Sequence, residues 1–217
     1  MRGFRTKIEV LRIIIECAAL YDNNLAHKKI LFVTDSPNNK SDFEALFMPH
    51  NFKHLTGAGK KNIDALVFYK RALDKRLGVD DIIIDNRGFT DLKLDILSRL
   101  MNIHKTARMV GDFDNLSEKI VADKFAGTTT SAMGFEFKNN IYIPKTALKT
   151  SVNDVTKKDT RSRIIAIFTK NKVDSKYTDI TYKAHDMEYC HLLQRDSLRK
   201  IVDFGNLILP ESWNILS

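Results

Sequence analysis

Residues 127–148 read GTTTSAMGFEFKNNIYIPKTAL. Two short runs rich in β-branched and aromatic residues flank Lys138-Asn139-Asn140, and an amide-rich break between such runs is a hairpin signal. The same texture extends outward from this stretch. ARMVGDF (107–113) precedes it, and RIIAIFTK (163–170) and YTDITYK (177–183) follow, each bounded by turn residues. TSVNDVTKKDTRS (150–162) is a polar loop, and LSEKIVADKFAG (116–127) is ambiguous, with a short helix as one reading.

The first hundred residues read differently. TKIEVLRIIIECAALYDNN (6–24) sets Ile8, Leu11, Ile15, Ala18 and Ala19 at helical spacing, with Asn23-Asn24 as a stop. KKILFVTD (28–35) is a buried strand, and FEALFMPH (43–50) is its return, ended by Pro49. NIDALVFYKRALDKRLG (62–78) is a helix with Gly78 just past its end, and TDLKLDILSRLMNIH (90–104) is another with Thr90 as N-cap. EYCHLLQRDSLRKIVDF (188–204) is the last helix, before an irregular tail ending LPESWNILS. Helices and strands are thus segregated. The expected class is α+β, with N-terminal helices packed on an antiparallel β-sheet and a C-terminal helix. Residues 1–183 are expected to form one domain, and 184–217 a helix and tail of unassigned role.

A chain of 217 residues, 43% hydrophobic, with 9 Gly and 4 Pro, can build a packed core and is neither disordered nor fibrous. It holds no run of about 20 apolar residues, as a membrane helix needs. Glu9, Arg12 and Glu16 interrupt the N-terminal apolar run, which reads as an amphipathic helix and not a signal peptide. Two distant cysteines, Cys17 and Cys190, suit a reduced compartment, so the cytoplasm of a bacterial host cell is expected, with no membrane partner.

The net charge of +8 is uneven: residues 145–183 carry +6, and 184–217 carry −2. A basic segment suits a polyanionic partner, because Lys and Arg replace counterions on phosphates; a solvated basic surface is the plain alternative.

Few motifs carry chemistry. FKHLTGAGKK (52–61) suggests a phosphate loop, but that pattern needs Gly where His54 stands and a hydroxyl where Lys61 stands. A metal pair of His50 and His54 needs a helix, which Pro49 before it and Thr56-Gly57 after it oppose. HDMEYCH (185–191) has metal-binding residue types without a known ligand spacing, and TTTSAMGF lacks the elbow of a serine hydrolase. No metal or cofactor is therefore expected.

What remains is metal-independent cleavage of RNA through its own 2′-hydroxyl. That reaction needs a proton acceptor and donor, which histidine supplies, and cations for the phosphate. His54 with Thr56, and Lys145, Lys149, Arg163 and Lys170 in the basic segment, offer these groups. Each also has an ordinary reading: a turn histidine and hydroxyl for His54 and Thr56, and a solvated helix residue for Lys93.

FKHLTG, FYKRAL (68–73), LKLDILSRL (92–100), MVGDF (109–113), DKFAGTTTSAMGF (123–135), YIPKTALKTSV (142–152), RIIAIF and YTDITY occur in one order. This set resembles a phage-associated nuclease family of the Barnase–EndoU–colicin–RelE-like (BECR) fold, its fourth phage subgroup. The resemblance spans about residues 28 to 183. It implies helices on an antiparallel sheet and a metal-independent ribonuclease of phage or toxin type, with RNA as partner and an antitoxin or host protein as a second candidate partner. It points to His54, Thr56, Lys93 and Lys149 as catalytic residues. Lys145, Arg163 and Lys170 are expected to bind nucleic acid. A non-catalytic module binding nucleic acid or a host protein is the alternative on the same scaffold.

Overall fold

The computed structural model describes residues 5–115 and 120–210. Among them, the helices are α1 Lys7–Asn24, α2 Asn51–Thr56, α3 Ala65–Leu73, α4 Phe89–Leu100, α5 Ile103–Thr106, α6 Val152–Val155, α7 Tyr189–Leu193 and α8 Asp196–Ile201. The strands are β1 Lys28–Thr34, β2 Phe43–Phe47, β3 Met109–Asp112, β4 Lys124–Gly127, β5 Ala132–Lys138, β6 Ile141–Leu148, β7 Ser162–Asn171 and β8 Asp179–Lys183.

The hairpin read from residues 127–148 forms as expected. Asn139 and Asn140 both adopt positive φ, at 52° and 62°, the conformation that turns β5 tightly into β6. Asparagine tolerates this region better than other side chains, since its amide bonds locally.

The mixed α+β class holds, but the sheet is not an open one. Strand order runs β1-β2-β6-β5-β4-β3-β7, and β7 pairs back onto β1, closing seven strands into a barrel. The long β7 makes closure feasible. It pairs with β1 over Ile164–Asn171, and also meets β3 at Ser162 and Arg163 and β8 at Ala166–Thr169. The described pairs are antiparallel except β2 with β6, which meet at Ala45 and Tyr142. Closure removes the exposed edges that an open sheet leaves to pair with other chains.

Strand alternation sorts side chains between two cores. Ile30 and Phe32 of β1 join the main core with the helices, whereas Leu31 and Val33 point to a second cluster under residues 184–204. The main core is aromatic: Phe32, Phe43, Phe47 and Phe135 meet in it, and Tyr21, Phe52, Phe68 and Tyr69 join them from the helices. Each such burial stabilises by about 1.5–3 kcal/mol.

Helix α1 starts at a capping box. The Glu9 carboxylate accepts from the Thr6 backbone N–H at 2.7 Å, and the Thr6 hydroxyl accepts from the Glu9 N–H at 3.3 Å. Its buried face is Val10, Ile14, Cys17, Ala18 and Tyr21, rotated from the expected stripe, and Ile8 is exposed. The run IIIECAA is apolar on most sides, so spacing alone admits more than one face.

Several boundaries also move. Helix α3 begins at the Asp64 cap, whose carboxylate accepts from Leu66 and Val67, and it ends at Leu73, short of Gly78. Lys75 takes a positive φ of 59° there and stops the helix before glycine is reached. The expected C-terminal helix is two short ones, α7 and α8, broken at Gln194 and Arg195. Leu192, Leu198 and Val202 of this segment are buried on the outer face of β1 and β7. Of the ambiguous 116–127 stretch, 116–119 lie outside the described residues, as does the tail from 211.

Candidate active site

The FKHLTG segment is helical, against expectation. Pro49 stands before α2, where its missing N–H costs nothing, and Asn51 accepts the Met48 N–H at 2.8 Å. Gly57 closes the C-terminus at φ 64°, the left-handed conformation that glycine adopts freely. The two apparent breakers are thus the two ends of a six-residue helix. Phe52 and Leu55 bury one side of it, and this leaves His54 exposed on the other.

Helix α4 lies beside this turn, and Thr90 ties the two together. Its hydroxyl accepts from Asp85 N–H and donates to the Gly57 carbonyl, both at 3.1 Å. Thr90 is therefore a cross-link and not the helix cap; Gly88 occupies the cap at φ 82°. One turn further on, Lys93 lays its stem against Gly57 and donates from Nζ to the His54 carbonyl at 3.3 Å. A Cβ at position 57 would come within 2.8 Å of Lys93 Cδ, so the glycine also makes room for the lysine.

On the facing side, β6 carries Lys145 and ends just before Lys149. Lys149 donates to Asp95 of α4 at 2.7 Å, and Lys145 pairs with Glu136 at 3.0 Å. Lys93 and Lys149 border one cleft of about 630 Å³, with Arg87, Phe89, Thr146 and Thr150 among its other walls. Partial burial lowers the His54 pKa, and the charges of Lys145, Lys53, Lys93 and His50 lower it further. Burial alone lowers that of Lys93. The structure thus gathers His54, Lys93, Lys145 and Lys149 around the α2–α4–β6 junction.

The other expected residues lie elsewhere or face inward. Thr56 is fully buried, and its hydroxyl donates to the Lys53 carbonyl at 2.8 Å and accepts from Ala58 N–H at 3.2 Å. Arg163, at the start of β7, pairs with Asp186 at 2.9 Å and Asp35 at 3.5 Å. Lys170, near the end of β7, donates to the Ser175 carbonyl at 2.9 Å and sits 4.6 Å over the Tyr177 ring. Neither Arg163 nor Lys170 borders the cleft, and of the four residues at the junction Lys93 and Lys149 do so, whereas His54 and Lys145 do not.

A family model described as phage-Barnase-EndoU-ColicinE5/D-RelE like nuclease4 matches residues 13–186, four-fifths of the chain. The chain belongs to this family. No curated protein and no solved structure gives a significant match. All four residues at the junction fall within the span shared with this phage-associated nuclease family, while α7 and α8 lie beyond it.

The sequence reading of this family member missed Asp95, Arg87 and Phe89. Asp95 and Arg87 look like ordinary surface charges in one dimension; Arg87 finds its partners locally, in Asp85 and Phe89, whereas Asp95 gains Lys149 and Arg5 only when distant parts of the chain converge on α4. The ligand atoms of Glu188, Cys190 and His191 come within 4.8 Å of one another on the exposed surface. His50 and His54 gather no third such ligand among the described residues. Among those residues no helix is long and apolar enough to cross a membrane.

Proposed function

We propose that this chain is a metal-independent endoribonuclease whose site is the α2–α4–β6 junction. The observation that carries this reading is Lys93 held 3.3 Å from the His54 carbonyl, with the charges of Lys145 and Lys93 both acting on the His54 ring. His54, with its pKa lowered, is neutral at pH 7 and accepts the proton of the RNA 2′-hydroxyl. The 2′-oxygen attacks phosphorus and the bond to the 5′-oxygen breaks. Lys93, whose ammonium loses its proton more readily for being desolvated, protonates that leaving oxygen. The products are a 2′,3′-cyclic phosphate and a free 5′-hydroxyl.

Lys149 and Lys145 hold the phosphate. An ammonium has three donors, so Lys149 keeps two for phosphate oxygens while one binds Asp95, and Lys93 likewise keeps two beyond the His54 carbonyl. Thr56 supports the site from inside the turn and does not reach the phosphate.

The test is cleavage of end-labelled RNA in EDTA, with a cyclic phosphate terminus on the product. The expected result is activity that His54→Ala and Lys93→Ala each lower by about a hundredfold or more, the scale of a lost acid–base group. Full activity in His54→Ala overturns the assignment. Salt-sensitive RNA binding without cleavage makes the chain a binding module on this scaffold.

A further inference from the structure

The cleft beside Lys93 and Lys149 exposes more apolar surface than phosphate contacts require. Phe89 is 53% exposed and Leu92 46%, and both border it. Single exposed apolar residues are common on any protein, so exposure alone says little. Here the exposed ring sits among cations. The Arg87 guanidinium lies 5.0 Å over the centroid of the Phe89 ring. Lys93 follows Phe89 by four residues on α4, which puts the ring and the ammonium on one side of the helix.

A second open cavity of about 780 Å³ adjoins the first and is bordered by Lys60, Lys61 and Asn62. Gly57, Asp85 and Arg87 border both cavities, so the two form one groove across the Gly57 turn. Among the described residues, Arg87, Lys93, Lys149, Lys60 and Lys61 give that groove five cations, against one acid, Asp85, which is itself tied to Arg87 at 3.2 Å.

We infer that this groove is a binding site for single-stranded nucleic acid, with one base stacked on Phe89 and neighbouring phosphates held by Arg87 and Lys60–Lys61. A basic groove studded with an exposed aromatic ring is the arrangement that tracks single strands, because every base has a π-face and every linkage a charge. A duplex hides those faces, so the ring selects unpaired bases. Arg87 is suited to its place because a guanidinium can stack on the ring and donate to phosphate at once. The inference rests on the nuclease reading above and adds the form of the substrate: an unpaired nucleotide next to the cleaved linkage.

The test uses two fluorescent six-residue probes that lack the 2′-hydroxyl and cannot be cleaved by the proposed route. One is an oligodeoxynucleotide, and the other is the same length of abasic deoxyribose phosphate. Phe89→Ala is expected to weaken the base-bearing probe by about 5- to 150-fold, the range for one lost stack, and to leave the abasic probe unchanged. Arg87→Ala is expected to weaken both and to reduce the salt slope by about 0.7, one phosphate contact. In a Trp213→Phe background, Phe89→Trp is expected to keep affinity, with its emission quenched by the base-bearing probe only. Equal effects of Phe89→Ala on both probes, or none on either, overturn the stacking site. The two readings fail separately. Phe89-dependent binding without any RNA cleavage leaves the groove and removes the nuclease reading. RNA cleavage unchanged by Phe89→Ala, with unchanged KM, does the reverse.

Discussion

Lys149, in the wall of the cleft just after β6, is tied to α4 by Asp95, whose carboxylate accepts from its ammonium at 2.7 Å. The same carboxylate also binds Arg5, from the residues ahead of α1, so one acid joins three parts of the chain. Burial alone would raise the Asp95 pKa, but the hydrogen bonds from Lys149 and Arg5 hold it down to about 2. A carboxylate with a depressed folded pKa stabilises at pH values above its unfolded value and loses that contribution as pH falls through the folded one. Asp95→Asn is therefore expected to cost about 1 kcal/mol at pH 7, after allowance for solvent screening around the half-exposed Lys149. Urea unfolding checks it: the wild type loses this margin between pH 3.8 and about 2, and the variant has none to lose there.

His54 sits in a positive field, and its protonated form is disfavoured by burial first and then by Lys145, Lys53, Lys93 and His50. Its acid limb in a pH–activity profile is expected below the ordinary histidine value of 6.5. Lys145→Gln removes the charge with the largest effect on His54, so the limb should move toward higher pH. NMR titration of the His54 ring reads the same shift without relying on activity. An unmoved titration would show that Lys145 does not act on this histidine.

Local chemistry made the β5–β6 hairpin readable, because Asn139-Asn140 encodes a turn within a few residues. Barrel closure was not readable in that way. It depends on β7 finding β1 across about 130 residues and on the meeting of β2 with β6 at Ala45 and Tyr142, and neither strand advertises its partner. His54, Lys93 and Lys149 could be picked by residue type and by resemblance. Asp95 could not, since its meaning comes from Arg5 and Lys149 converging on it. Thr56 illustrates the opposite limit: a hydroxyl beside a histidine reads as chemistry, yet the left-handed Gly57 after it turns that hydroxyl back onto Lys53 and Ala58.

Gly57 is where backbone and site meet. At φ 64° most side chains are strained, and a Cβ would press on Lys93 Cδ. Gly57→Ala is expected to lower stability by about 1 kcal/mol and to shift Lys93 from the His54 carbonyl. Gly57→Asn separates the two effects, because asparagine tolerates this conformation but still crowds the lysine. Thermal melts should recover much of the stability in the asparagine variant, while RNA cleavage stays low in both. Recovery of cleavage along with stability would mean that the Lys93 position is not critical.

Residues 184–207 continue into the second core. Leu192 and Leu198 are buried against Leu31, Val33, Ile165 and Phe168, and Arg195 anchors the segment by donating to the Thr34 carbonyl at 2.9 Å and to Asn39 at 2.8 Å. Leu192→Ala is expected to cost about 2–4 kcal/mol, the price of a cavity where a core leucine stood. Removing residues 184–217 uncovers the outer face of β1 and β7 altogether. That truncated chain is expected to melt with less cooperativity and to bind a hydrophobic dye, as a barrel with an exposed apolar wall would. A truncated chain that melts like the full one would make 184–217 a dispensable appendage, and the Leu192→Ala cost would then be absent as well.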